Sequence, residues 1–121
     1  MENKKRILLV EDTEAILRLT KFRLEKSGFE VITAADGAAA FDTAKKEKPD
    51  IILLDFGLPD ITGGEVAKKL KNDPDCGKIP IILFTASIEN LNSIKDIGVE
   101  DGISKPYEPE ELLEKIHKYL N

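Results

Sequence analysis

Three unbroken apolar runs, Ile7–Val10, Ile51–Leu54 and Ile81–Phe84, each stop on polar residues. Runs this short and this continuously apolar are the signature of strands covered on both faces of a parallel sheet. The first strand, Arg6–Val10, runs into Glu11 and Asp12. The second of these buried runs ends on Asp55, and the strand over Pro80–Phe84 ends on Thr85. Two weaker segments read as strands by their β-branched and aromatic content or by position: Phe29–Thr33, and Gly102–Ser104 leading into Lys105-Pro106.

Between the strands the apolar period lengthens to that of helix. At about 100° per residue from Ile16, a helix over roughly Glu14–Lys26 gathers Leu17, Thr20 and Leu24 on one arc. Leu19 and Phe22 fall on a second arc, so the apolar surface is wider than one core-facing stripe needs. Asp12 or Thr13 can cap this helix, and Gly28 stands where a left-handed terminator usually stands. Asp36-Gly37 makes a turn before a small-residue helix, Ala38–Lys46, which Pro49 stops. Gly63-Gly64 precedes a helix over Glu65–Lys71 with Val66 and Leu70 inward, and Asn72–Gly77 has turn chemistry. Ile88, Leu91 and Ile94 recur at helical spacing up to Gly98. In the last helix Pro109 sits at a first helical position, acids in the first turn and lysines in the last suit the macrodipole, and Leu112, Leu113, Ile116 and Leu120 form the stripe.

Five strands alternating with five helices predict an α/β fold, because parallel strands need crossovers and crossovers are right-handed. The flavodoxin-like, doubly wound five-stranded parallel sheet in the order 2-1-3-4-5 is the natural arrangement. That order sets strands one and three side by side at the switch point, with Glu11, Asp12 and Asp55 at their carboxyl ends. In open parallel sheets that edge is where ligands bind.

Composition narrows the function classes. At 121 residues a single domain over 1–121 is expected. A formal net charge of −5 and an isoelectric point near 5.0 lack the basic footprint that nucleic-acid binding requires. No apolar run approaches the roughly 18 residues of a membrane span, and no signal-peptide pattern opens the chain, so a cytoplasmic protein without membrane association is expected. Cys76, the single cysteine, cannot form an internal disulfide.

Three carboxylates meeting at one sheet edge repel, and such a group must either raise a pKa or be neutralised. A hard divalent cation such as Mg²⁺ does the latter with one or two carboxylates, a backbone carbonyl and waters. Glu11, Asp12, Asp55 and the carbonyl of Gly57 can supply that set. Lys105, at the end of the fifth strand, adds a fixed positive charge, and Thr85 adds a hydroxyl. A carboxylate nucleophile, a metal, a cation and a hydroxyl together suit phosphoryl transfer.

The acidic pair Glu11-Asp12 after Ile7–Val10, Leu54-Asp55, the Leu58-Pro59-Asp60 turn with Gly63, Thr85-Ala86 and Lys105-Pro106 resemble, over the whole chain, the receiver domain of two-component response regulators. The resemblance implies that Asp55 accepts a phosphoryl group from a phosphohistidine on a sensor histidine kinase or a histidine phosphotransfer protein. It implies that Asp12, Asp55 and the Gly57 carbonyl bind Mg²⁺, with Glu11 helping through water, and that Lys105 contacts the phosphoryl group. Thr85 would reorient on phosphorylation, and the bond before Pro106 would be cis. A signalling domain is implied, one that promotes only its own phosphorylation and dephosphorylation and passes the signal to an unspecified downstream protein.

Two features depart from the family. An aromatic residue usually stands three positions before the lysine, where this chain has Gly102, and the segment from Thr85 to Lys105 is slightly short. Transmission by the usual aromatic switch is therefore not expected. Gly57 and Ser87 fall at positions that tune phosphoryl lifetime in the family. Ile16 and Leu19 match positions through which the family docks its phosphodonor, and Phe22 extends that line by one turn.

Competing readings are a non-phosphorylated pseudo-receiver acting as a constitutive interaction domain, and a phosphohydrolase with an aspartyl nucleophile. The complete acidic, Thr85 and Lys105 set opposes the first. Against the second, Gly57 stands where an acid/base carboxylate would follow Asp55, and the chain lacks room for a substrate cap. His117 lies in the last helix and is assigned no catalytic role. No phosphate-binding loop, nucleophile elbow or zinc spacing is present.

Overall fold

Ile51–Asp55 is the central strand of the fold, buried along its whole length. A computed structural model of the chain describes residues 4–86 and 96–120. The elements in chain order are β1 Arg6–Val10, α1 Glu14–Lys26, β2 Glu30–Ala34, α2 Gly37–Glu47, β3 Ile51–Asp55 and α3 Gly63–Asn72. They continue with β4 Ile81–Thr85, β5 Asp101–Ser104 and α4 Pro109–Leu120. All neighbouring strands pair in parallel, and the order is β2-β1-β3-β4-β5, the expected flavodoxin-like topology. Four helices accompany the sheet among the described residues. The helix expected over Ile88–Ile94 lies outside them.

Alternation along each strand divides the core in two. Leu8, Val10, Ile52, Leu54, Ile81 and Leu83 face α2 and α3, meeting Ala40, Ala44, Val66 and Leu70. Ile7, Leu9, Ile51, Leu53, Ile82 and Phe84 face the other way, onto Leu24 of α1 and Leu112 and Ile116 of α4. Each such aliphatic side chain contributes about 1.5–3 kcal/mol on burial. The sheet is thereby held on both faces while its carboxyl edge stays open.

Local chemistry moves several boundaries. Phe29 lies in the turn rather than in β2, although its side chain is buried. Gly28 and Gly98 take positive φ, 98° and 91°, as terminators do. Asp36 caps α2 by accepting from the Ala39 N–H at 2.8 Å. α2 ends on Lys48 at φ 47°, since Pro49 disfavours right-handed helix in the residue before it. Gly63 and Gly64 open α3 rather than precede it, with the Thr62 hydroxyl accepting from Glu65 N–H at 3.2 Å as cap. Neither Asp12 nor the Thr13 side chain caps α1: Thr13 occupies the cap position with extended backbone and no side-chain bond. The Lys105–Pro106 bond is cis, as the resemblance implied.

Candidate functional site

Strand register assembles the site. Val10 pairs with Leu54, so the next residue on each strand, Glu11 and Asp55, leave the sheet together at the switch point. Asp55 pairs with Phe84 and Thr85 with Ser104, which brings the ends of β4 and β5 level with them. The Lys105 N–H donates to the Thr85 carbonyl at 2.8 Å, fixing where the lysine side chain starts.

Glu11 and Asp55 are buried and Asp12 is exposed, yet one carboxylate oxygen from each lies within 4.8 Å of the others. The Lys105 ammonium reaches across the cleft to Asp55 Oδ1 at 3.1 Å and Glu11 Oε2 at 3.3 Å. The other Glu11 oxygen accepts from the Thr13 N–H at 3.3 Å, and Asp55 Oδ1 also accepts from the Gly57 N–H at 3.2 Å. Thr85, buried, and Gly57 line the same open cleft of about 480 Å³.

Burial, reinforced by the Asp55 charge, pushes the Glu11 carboxyl above the usual carboxylate range, and Lys105 only partly opposes this. Burial acts to lower the Lys105 pKa, but its bonds and charge attraction to Asp55 and Glu11 outweigh that and leave it raised. Lys105 is thus a permanent cation at neutral pH. Among the described residues one cation, paired with two of the three clustered carboxylates, leaves the cluster short of positive charge. Hard oxygen donors this close fit a divalent cation that prefers oxygen, and Mg²⁺ is the ordinary choice for one or two carboxylates plus water.

Every metal, hydroxyl and lysine position expected from the sequence therefore reaches one cleft. The surface residues Ile16, Leu19 and Phe22 stand on α1, exposed at 44%, 50% and 57%, and Ile16 also lines the cleft wall. Thr20 and Leu24, on the opposite arc, are buried. His117 packs near the Phe29 ring in the α4 layer, away from the cleft. Gly102 pairs with Leu83 on β5. Ser87 lies outside the described residues.

Sequence reasoning left the contacts of two residues near the site unread. Tyr107 stacks on Phe84 at 5.4 Å between ring centroids and lines a cavity together with Thr20 of α1. An aromatic so soon after Lys105-Pro106 was the available signal. Asp60 binds the amino end of α2, through partners 22 and 23 residues away in sequence. The Leu58-Pro59-Asp60 turn marks its place in the chain, but not these distant partners.

The profile of the response regulator receiver domain matches residues 7–117. The chain is 39% identical over 118 residues to the alkaline phosphatase synthesis transcriptional regulatory protein PhoP of Bacillus subtilis, and covers 48% of that protein. It is 38% identical to the polar-differentiation response regulator DivK of Brucella anthropi, with 96% of each chain covered. Among solved structures, the receiver domain of sensor histidine kinase PA1611 from Pseudomonas aeruginosa superimposes with a TM-score of 0.90 at 27% identity, with 98% of each chain covered. That structure holds a magnesium ion coordinated in its active-site cleft. The chain belongs to the response regulator receiver domain family of two-component systems. It spans about half the length of PhoP and nearly all of DivK. No helix among the described residues is long and apolar enough to cross a membrane.

Proposed function

We propose that this receiver is a phosphorylatable relay component in which Asp55 accepts a phosphoryl group from a phosphohistidine on a histidine kinase or phosphotransfer protein. The observation that carries this reading is the Lys105 ammonium 3.1 Å from the Asp55 carboxylate, inside a cluster completed by Glu11 and Asp12. An Asp55 oxygen attacks phosphorus, a P–O bond forms as the P–N bond breaks, and the imidazole leaves with the electron pair and takes a proton from solvent. Lys105 balances charge on the phosphoryl oxygens, and the Gly57 N–H orients the nucleophile through Oδ1. Asp12, Asp55 and the Gly57 carbonyl would hold Mg²⁺, with Glu11 acting through water; when bound, the ion neutralises charge developing on the phosphoryl oxygens. Thr85 would turn its hydroxyl to the phosphoryl group once it is in place. The exposed Ile16, Leu19 and Phe22 line supplies the surface on which the donor docks.

The test is intact mass after incubation with acetyl phosphate, with and without Mg²⁺, on wild type and Asp55→Asn. A Mg²⁺-dependent gain of one phosphoryl mass, lost in the variant, is expected. A protein that gains nothing under any condition would instead be a pseudo-receiver.

A further inference from the structure

The loop that joins β3 to α3, residues 56–62, carries Gly57 and is closed at its base. The Gly63 N–H donates to the Phe56 carbonyl at 2.8 Å, and Phe56 N–H donates to Phe84 at 2.8 Å. Gly63 has to be glycine there, because a Cβ would come within 2.7 Å of Phe56 Cα, a backbone atom that cannot give way. Such a base fixes where the loop starts and ends. It does not fix the excursion between, where Gly57, Leu58 and Pro59 lie at the surface or half-buried.

That excursion is held from outside. Asp60 Oδ1 accepts from the Gly37 N–H at 2.7 Å and Oδ2 accepts from the Ala38 N–H at 3.0 Å. These are two of the donors that the first turn of any helix leaves without an internal partner. Asp36 already caps the same helix through Ala39, so α2 has its own cap, and the Asp60 bonds serve a different end: they tie the loop to the sheet's other half. The contact is also close in apolar terms. A Cβ at Gly37 would stand 2.6 Å from Ile61 Cγ1 and 2.9 Å from Val66 Cγ2, so the loop seats directly on this turn. The Gly37 N–H in particular holds the Asp60 carboxyl below its usual range, as a carboxylate receiving backbone donors should be.

We propose that Asp60 is a positioning residue: by gripping the Gly37 and Ala38 N–H groups it sets where the loop presents the Gly57 backbone to Asp55 and to the divalent cation. The inference rests on the reading of Glu11, Asp12, Asp55 and Gly57 as the cation site. A loop anchored only at its base would leave the Gly57 carbonyl free to sample several positions, and each lowers the fraction of molecules ready to bind. Groups that orient metal ligands without touching the metal typically alter affinity by about 10–100-fold when removed.

Isothermal titration with Mg²⁺ of wild type, Asp60→Ala, Asp60→Asn, Asp36→Ala and Asp55→Asn tests this. Asp60→Ala is expected to weaken Mg²⁺ binding on the order of tenfold. Asp60→Asn, which keeps one acceptor oxygen, should fall between it and wild type. Asp36→Ala removes a cap from the same helix without touching the loop, and should leave affinity unchanged even if its melting temperature falls. In amide NMR spectra the Gly57 resonance should shift in Asp60→Ala and stay in place in Asp36→Ala. Wild-type affinity in Asp60→Ala would overturn the proposal, as would an equal loss in Asp36→Ala, since helix stability alone would then account for it. Absence of any wild-type Mg²⁺ binding that Asp55→Asn removes would overturn the cation site itself, and this inference with it.

Discussion

The Lys105 ammonium and the Asp55 carboxylate lie 3.1 Å apart, and the same ammonium is 3.3 Å from Glu11. A cation placed there does two opposed things. It stabilises two buried carboxylates, and it occupies the electrostatic field that a divalent ion would use. Replacing Lys105 by Met should therefore lower folding stability by about 2 kcal/mol, short of the 3–5 kcal/mol of a fully buried pair because the lysine side chain is 26% exposed. Mg²⁺ should bind the variant more tightly, while phosphoryl accumulation from acetyl phosphate falls. Urea unfolding, titration calorimetry and intact mass measure the three effects. Weaker Mg²⁺ binding in the variant would show that Lys105 organises the carboxylates rather than competing for them.

Asp12 presents the reverse balance. It is exposed, lies within the 4.8 Å cluster with Glu11 and Asp55, and adds repulsion that the folded state has to hold. Asp12→Asn should raise the melting temperature by a few degrees, about 0.5–1 kcal/mol for a domain of this size, and should abolish Mg²⁺ binding. Adding Mg²⁺ to wild type should recover part of the same stabilisation, because an ion bound only by the folded state shifts the equilibrium by mass action. Thermal melts of both proteins across a Mg²⁺ series check this. A variant that is no more stable than wild type would place the strain elsewhere.

The reason so much of this site can be read from the chain is that buried parallel strands are nearly continuous apolar runs, so Val10, Leu54 and Phe84 mark where the sheet stops and Glu11, Asp55 and Thr85 where its edge begins. Topology then does the assembly. What escapes is whatever depends on contact between distant segments. Gly63 and Gly64 read as preceding the helix, yet they open α3; the loop backbone passes too close to Gly63 for a side chain, and the Phe56 ring and Ile97 crowd Gly64. Phe29 reads as strand for its hydrophobicity, although it is buried from a turn. The resemblance implied different parts for Glu11 and Asp12, but their burial is not legible in the chain, and the geometry separates a buried, lysine-paired acid from an exposed one. Asp60 looks like any turn aspartate until its partners at Gly37 and Ala38 are seen.

Acid stability should depend on Asp101, at the start of β5 beside Gly102. Burial alone would raise its carboxyl, but the Gly102 N–H, the Lys115 ammonium and the Tyr119 hydroxyl all donate to it, at 2.8, 3.1 and 3.0 Å, and the pKa is lowered overall. A carboxyl whose folded pKa lies below its unfolded one stabilises the fold above the unfolded value, near 3.9, and loses that contribution as pH falls through the folded value. Wild type should thus lose stability below about pH 4 partly through this group. In Asp101→Asn the urea midpoint should be lower at pH 7 and should change less between pH 4 and pH 2. An unchanged acid slope would assign the loss to other carboxylates.

Under the proposed function, docking and chemistry should separate on α1. Leu19 and Phe22 are half or more exposed, with the Lys26 ammonium 5.3 Å from the Phe22 ring centroid, while Thr20 and Leu24 hold the helix to the core from the other side. Substituting the exposed pair should therefore leave the fold nearly untouched, within about 0.5 kcal/mol each. Leu19→Asp with Phe22→Asp is expected to abolish transfer from a phosphorylated histidine donor, because an apolar contact becomes two unpaired charges at the interface. Labelling by acetyl phosphate, which needs only the cleft of Glu11, Asp12, Asp55, Thr85 and Lys105, should survive. Loss of both activities with an unchanged unfolding midpoint would mean that α1 shapes the cleft directly, through Ile16 at its wall.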